Sequence, residues 1–480
     1  MRTPIRVTNR FHRIFIEAMT AGSQGLRNAV MPQFYPLAAT AVRTKASKAE
    51  ADNPYKPRED HRGHPGAGSD VVKQHRSAKA SFDGYAIPSG TISTDPDIGP
   101  AMECLGWSKR DPGISTTIAS SPSSTTTTLQ VATSVGIKAG DVIIVNQEAA
   151  RVLTSDAASA GVLTIWPPLS AAPSSGDTVK TAITYVPDNE RDVTEESAAA
   201  WIGASRTQMR VEGLVGEKWA FAFGGDDAGN ITFDGSAREA HRITSSLLDG
   251  GINDSVTQVV ATTADFVPDD VSAAKPVYLT IEADGTNAEE HVRCTGKVSA
   301  TALTIVRAQL TSSNVAHLGN AVIRPYWPDD TVAGTPVPAI LGSVVVGTGS
   351  ETVRNELQLK SAALEADLAV NKKEDVLGQA WKLQGYSLAM RNIEVSMEGW
   401  GDADTMAWAR NAEDYGAVHA MVQQGDTEGS IFGFCANSVL FDNPADDPSA
   451  DEMGVTLKGR ALATSPESDT DPKEIIVFFG

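Results

Sequence analysis

Asn230-Ile231-Thr232-Phe233-Asp234-Gly235-Ser236-Ala237 reads against Gly454-Val455-Thr456-Leu457-Lys458-Gly459-Arg460-Ala461, one short phrase met twice in the same chain. An apolar run precedes each copy, Trp219-Ala220-Phe221-Ala222-Phe223 in the first case and Ser438-Val439-Leu440-Phe441 in the second. Strand-like runs of this kind, punctuated by Gly, make a duplicated β unit the simplest source. A second pair lies around the first copy: Leu163-Thr164-Ile165 ahead of Tyr185-Val186-Pro187-Asp188, and Leu303-Thr304-Ile305 ahead of Tyr326-Trp327-Pro328-Asp329. Two kinds of module, each present twice, decide the architecture before any single residue does and point to assembly rather than catalysis.

The bulk numbers agree with a large folded chain. A length of 480 residues exceeds what one hydrophobic core serves and predicts about three or four domains. No run approaches the roughly 18 apolar residues of a membrane helix, so a soluble protein is expected. Cys104, Cys294 and Cys435 are odd in number and far apart, which excludes a disulfide framework or zinc site and fits a reducing compartment. The formal charge is −20, unevenly spread: residues 1–110 hold 16 basic and 10 acidic side chains, the remainder 24 and 50. Such acidity repels a phosphate backbone and argues against an ordinary nucleic-acid binder, while suiting a surface along which DNA slides without sticking. It also serves solubility alone.

Along the chain, residues 1–70 read as a basic N-terminal arm, retained rather than removed as an address because no apolar signal region is present. Within it Phe11, Ile14, Phe15 and Met19 fall at helical spacing and predict a short amphipathic helix over residues 9–19, and residues 50–70 read as a loop or extended arm. A strand is expected from Ala78, a bend at Pro88-Ser89-Gly90, then a helix capped by Asp95 with Pro96 at its first position and Ile98, Met102 and Leu105 inward. Residues 71–113 and 188–249 form a discontinuous first β domain, interrupted by a small all-β module at 114–187. A like module occupies 250–330, and residues 331–480 form the second, uninterrupted β domain, with a helix expected from Asp402 to Val422 that packs Met406, Ala409, Ala417 and Met421 on a sheet. The fold class expected is thus mainly β: a duplicated sandwich or barrel core, each copy with a short helix, plus two inserted β modules.

Chemistry-bearing patterns are weak throughout. Gly224-Gly225-Asp226-Asp227-Ala228-Gly229 lacks the spacing of a phosphate loop and sits between strands, so a turn is expected. His61, His64 and His75 lie in or beside a Pro/Gly-rich stretch without cysteine or carboxylate at ligand spacing. Asp226-Asp227, Asp446-Asp447 and Asp451-Glu452 could offer oxygen ligands to calcium, but without EF-hand spacing they read as solvated acidic loops. The Ser/Thr tract at 115–128 reflects β propensity and a flexible entry to the first module. Trp107, Trp201, Trp219, Trp381, Trp400 and Trp408 have Gly, Ala and acidic neighbours instead of the Lys and Arg of a base-stacking platform, which favours core or interface packing. No catalytic, cofactor-binding or metal-ligating residues are assigned, and no enzyme is expected.

Taken together, SFDGYAIPSGTISTDPDIGPAMECLGW (81–107), GNITFDGSA (229–237), FGFCANSVLFD (432–442), GVTLKGRALA (454–463), KEIIVFFG (473–480) and the two modules resemble the tail tube protein, or major tail protein, of long-tailed bacteriophages. The likeness covers most of residues 71–480. The modules resemble the small β domains that decorate phage structural proteins, carried here by Gly140-Asp141-Val142-Ile143 and Leu163-Thr164-Ile165 in the first and by Leu303-Thr304-Ile305, Arg307 and His317-Leu318-Gly319-Asn320-Ala321-Val322 in the second. Pro167-Pro168 departs from that pattern, which has Arg-Gly after the strand. The resemblance implies subunits that close into rings and stack into a tube for DNA ejection. Its partners would be other copies of the chain and the tape measure, tail terminator and distal tail proteins; its location would be the virion, after synthesis in the host cytoplasm. With two units per chain, three chains would make a ring of near six-fold symmetry, stacked through the basic arm, with an acidic lumen that repels DNA. The competing expectations are a carbohydrate-binding or adhesion protein built of β-sandwich modules and, more remotely, a virion-associated depolymerase with paired carboxylates.

Overall fold

A computed structural model gives a mainly β molecule, 55% strand and 3% helical. It describes residues 13–22, 25–30, 40–51, 55–57, 71–73, 77–120, 123–158, 160–188, 196–224, 228–328 apart from 270, 275 and 286, then 334–338, 341–374, 383–400, 407–408, 416–442, 445–447, 454–463 and 474–480.

The described residues within 1–70 form strands in place of the arm expected there. They supply β1 (Arg13–Gly22), β2 (Gly25–Val30), β3 (Thr40–Val42), β4 (Ala46–Ala51) and β5 (Tyr55–Pro57), followed by β6 (Val71–Lys73) and β7 (Ala78–Tyr85). The helix expected over 9–19 is instead β1: Ile14 and Ile16 are buried at period two, and the strand lies antiparallel to β16 (Glu196–Ala204) with Ile14 opposite Ile202 and Ile16 opposite Ala200. Two-residue periodicity outweighed the helical spacing because a sheet partner was waiting. Helix α1 (Gly99–Cys104) follows, with Ile98, Met102 and Leu105 buried as the pattern predicts. Its start differs, because Ile98 holds the N-cap position without a side-chain cap. Asp95 faces elsewhere, accepting hydrogen bonds from Lys109 Nζ at 2.6 Å and from the Tyr185 hydroxyl at 3.0 Å. Gly99 is required beneath that hydroxyl, since a Cβ there would lie 2.2 Å from it.

After β8 (Trp107–Arg110) comes the first small module: β9 (Ser115–Thr117), β10 (Thr128–Val131), β11 (Val142–Val145), β12 (Glu148–Ser155), β13 (Gly161–Trp166) and β14 (Thr178–Thr181), in sheet order β10-β13-β12-β11-β14-β9. The strand that follows, β15 (Ile183–Pro187), leaves the module and pairs with β8 and with the C-terminal strand, so Tyr185 and Tyr326 are not counterparts despite the similar phrases around them. The chain then makes β17 (Thr207–Gly224), β18 (Asn230–Ala237) and β19 (Glu239–Thr244). The second module comprises β20 (Ser246–Leu247), β21 (Gln258–Val260), β22 (Val277–Ile281), β23 (Glu290–Lys297), β24 (Ala302–Val306) and β25 (Val322–Pro325), in order β20-β25-β22-β23-β24-β21. Read from the other edge, that is the order of the first module. The register shifts coincide too: Val152 and Thr154 skip one residue against Ile165 and Thr164, as Cys294 and Gly296 do against Ile305 and Thr304.

The last stretch supplies β26 (Gly342–Gly347), β27 (Glu356–Leu357), β28 (Leu359–Asp367), β29 (Val370–Glu374), β30 (Leu383–Leu388), β31 (Asn392–Trp400), β32 (Val418–Gln424), β33 (Phe432–Phe441), β34 (Ala445–Asp447), β35 (Gly454–Ala461) and β36 (Ile475–Phe479). The helix expected over 402–422 is cut short. Of its described residues Ala407 and Trp408 are helical, but Val418–Val422 belong to β32, held between β26 and β33; Met406 and Ala409 lie outside the described residues. Ladder pairing there overrode the helix propensity of Ala and Met.

The ladders of the body occur twice in the same chain order. Pairings β1–β16, β4–β7, β7–β18, β16–β17, β17–β18 and β17–β19 are matched by β26–β32, β28–β31, β31–β35, β32–β33, β33–β35 and β33–β36, all antiparallel. In each set the long strand serves two layers. Thr207–Leu214 of β17 pairs with β16 and β19, then the strand turns at Gly213, whose φ is 63°, and Val215–Ala222 pairs with β18. β33 likewise pairs first with β32 and β36 and then with β35. Between the layers lies an aromatic core: Phe82, Trp219 and Phe233 within 5.8 Å of one another, and Phe223, Phe432 and Phe479 in successive contacts of 4.9 and 5.0 Å. Each such side chain, fully buried, contributes roughly 1.5–3 kcal/mol.

Candidate functional site

The feature that chemistry and topology single out is a seam. Lys218–Gly224 of β17 runs antiparallel to Ser361–Asp367 of β28, so the first core unit passes its sheet directly to the second. Phe223 crosses this seam and packs on Phe432 at 4.9 Å and Phe434 at 5.5 Å, and Lys218 pairs with Glu365 at 2.6 Å on the outer face. A second contact between units comes from β36, held between β33 and β15. The seam therefore combines main-chain hydrogen bonds, which any strand edge offers, with an apolar side that only this pairing fills.

The outer margins of the same layer are different. Among the described residues β4 has one ladder partner, β7, and β34 has one, β35. β4 shows Ala46, Lys48, Glu50 and Ala51 exposed, with Ser47 and Ala49 half-buried. An open cleft runs beside it, lined by Lys48–Ala51, Met209, Ala240 and Arg242. Asp446-Asp447, expected in a solvated loop, lies on β34.

Among the described residues, the stretches weighed for chemistry in the sequence do not converge on one site. Gly224 ends β17 and Asn230 opens β18 opposite Ala222, so the glycine-rich stretch joins two paired strands, as expected of a turn. Asp226, Asp227, Asp451, Glu452, His61, His64, His75 and Trp381 lie outside the described residues. Trp107, Trp201 and Trp219 are buried, and Trp408 packs against the main core. Burial pushes the thiols of Cys294 and Cys435 upward in pKa, which leaves them as inert core groups. Ser115–Thr117 forms β9 of the first module.

Three ion clusters escaped the sequence reading. Glu290, 0% exposed, accepts Arg307 Nε at 2.6 Å and a second Arg307 nitrogen, with His317 Nε2 within 3.4 Å. Burial raises its pKa, but the Arg307 and His317 hydrogen bonds outweigh that and hold the carboxyl down at about 2. Glu212, Glu239 and His241 bring ligand atoms within 4.8 Å of one another. Arg238 and Arg210 already neutralise Glu212, at 2.8 and 2.5 Å, so the group is built as an ion-pair network. Arg206 and Arg324 share Glu282, tying the second module to the turn before β17. The signal available in sequence was the Glu290 and Arg307 pair flanking the second Leu-Thr-Ile phrase, which charge spacing alone cannot distinguish from a surface pair.

No family model matches the chain, and no curated protein is similar to it. Among the described residues no helix is long and apolar enough to cross a membrane.

Proposed function

We propose that this chain is a structural virion protein that polymerises into stacked rings forming the tail tube of a long-tailed phage, with DNA passing through the lumen unbound. The observation that carries the reading is the twofold recurrence of the ladder order, with the first unit handing its sheet to the second across β17 and β28. A unit that joins its own copy edge to edge is a head-to-tail element, and such contacts generate rings when the rotation closes. Three chains then supply six units to a ring, and the two small modules decorate it. The net charge of −20 suits a conduit that must not trap a polyanion. Its partners are other copies of itself and the tape measure, terminator and distal tail proteins; the role is not enzymatic. The N-terminal segment contributes strands, so stacking through a detached basic arm is withdrawn from this reading.

Electron microscopy of the purified protein at assembling concentration, with native mass measurement, tests it. Rings of three chains showing six lobes are expected, stacked into tubes. Rings of six chains would defeat the trimer, and a persistent monomer that binds glycans would defeat the tube in favour of an adhesin.

A further inference from the structure

We propose that one chain joins the next through the same ladder that joins its own halves, β34 of one copy lying antiparallel to β4 of another, with charged residues at positions that are apolar in the internal seam. The tube reading enters only in the closure of the ring; the joint itself stands on the internal seam.

The registers identify the counterparts residue by residue. Ala445, Asp446 and Asp447 face Thr456, Val455 and Gly454 of β35, as Ala220, Phe221 and Ala222 face Thr232, Ile231 and Asn230 of β18. β34 is therefore the second unit's version of the part of β17 that makes the seam. On the other side, Ala46–Ala51 face Asp83–Ala78 of β7, as Ser361–Ala366 face Glu398–Ile393 of β31. β4 is thus the first unit's version of β28, and the sequence agrees: Lys45-Ala46-Ser47-Lys48-Ala49-Glu50-Ala51-Asp52 matches Lys360-Ser361-Ala362-Ala363-Leu364-Glu365-Ala366-Asp367 at Lys, Glu, Ala and Asp. Inside the chain Ala220, Phe221 and Ala222 pair with Glu365, Leu364 and Ala363. Between chains the same register sets Ala445 opposite Glu50, Asp446 opposite Ala49 and Asp447 opposite Lys48.

Exposure marks β4 as the incomplete member. Ala362, Leu364 and Ala366 of the joined strand are 3%, 0% and 0% exposed, whereas their counterparts Ser47 and Ala49 are half-buried and Ala51 is exposed. The cleft beside β4 carries Met209 and Arg242 at the positions of Phe434 and Val477, which in the second unit are fully buried. Charge tells which partner fits. Asp446 and Asp447 stand where Phe221 and Ala222 stand inside, and Lys48 and Arg242 stand where Ala363 and Val477 do. An edge that waits in water before assembly cannot display Phe without risking aggregation, so opposite charges replace the apolar contact there.

The test mixes two single-cysteine chains, Ala445→Cys and Glu50→Cys, both in a Cys104→Ser background, under mild oxidation at assembling concentration. Residues directly opposite in an antiparallel pair lie within disulfide reach. A covalent two-chain product is expected from the mixture and not from either variant alone. It should fall when the ionic strength is raised to about 1 M, where the screening length is about 3 Å. Asp447→Lys should reduce it, and Lys48→Glu in the other chain should restore it. Absence of the product, or an equal yield when Ala49→Cys replaces Glu50→Cys, overturns the joint. Micrographs of the same samples keep the two readings apart: rings without the cross-link overturn the joint and leave the tube, while the cross-link in open strings supports the joint and overturns the tube.

Discussion

The two small modules share one ladder order and one bulge, yet they are held to the molecule in opposite ways. The first turns Val142, Ile144, Ala149 and Trp166 onto Met421, Ile431, Cys435 and Phe478 of the body, so its outer face is part of a shared core. Ala149 N also donates to Gln423 Oε1 at 2.8 Å, and the Trp166 indole to Glu351 at 3.2 Å. The corresponding face of the second module bears Tyr278, Thr280, His291 and Val306, with the His291 ring edge-on to Tyr326 and Val306 38% exposed. Among the described residues, its buried core takes only Ile243 of β19 from outside the module. What the second module lacks in docking it replaces with the buried Glu290–Arg307 pair. In the first module Pro167 stands at the Arg307 position, and the counterpart of Glu290, Glu148, turns to Ser170 and Arg354. One fold is thus stabilised from within in one place and by its neighbour in another.

Excision draws the comparison most sharply. Residues 243–327 expressed alone should fold cooperatively, as read by near-ultraviolet circular dichroism and a thermal melt, whereas residues 114–182 should not, because Val142, Ile144 and Trp166 would lose their cover at roughly 1.5–3 kcal/mol each. Two folded fragments would erase the distinction. In the full chain Glu290→Ala should destabilise the second module by about 3–5 kcal/mol, since it strands a buried guanidinium, and Glu290→Leu with Arg307→Met should recover most of that loss in denaturant titrations. Trp166→Ala should cost a similar or smaller amount, about 3–5 kcal/mol, and expose the first module to proteolysis while leaving the second unchanged.

Acid should separate the modules next. Glu290 has a folded pKa of about 2, below its unfolded value near 4.3, so its contribution is full above about pH 4.3 and is lost as the pH falls towards 2. Hydrogen exchange across that window should show the second module loosening as Glu290 takes up a proton. Smallest of all, Glu148→Ala should change stability by no more than about 1 kcal/mol, the ordinary worth of a partly exposed ion pair. A large loss there would place the first module's anchor in its ions and overturn the contrast.

The repeats were readable because strand phrases such as Thr232/Thr456 and Gly235/Gly459 survive at one-residue resolution. The match between β4 and β28 was equally present in the letters and went unread, since Lys and Ala at an edge look like solvated chain. Ile14 fits a helix or a strand equally until a partner strand chooses, and Val418–Val422 fitted the expected helix for the same reason. Asp95 had the position of a cap but found Lys109 and Tyr185, residues far along the chain, more rewarding.

By itself the sequence determined that the chain is β-rich and that two kinds of strand phrase recur in it, because period, composition and repetition are local properties. Only the tertiary structure decided that residues 13–22, 25–30, 40–42 and 46–51 are strands of the sheets, that one core unit passes its edge to the next, and which carboxylate is buried beside an arginine. Those depend on which distant edges meet, and pairing between strands is fixed by the whole set of registers at once rather than by any single stretch of residues.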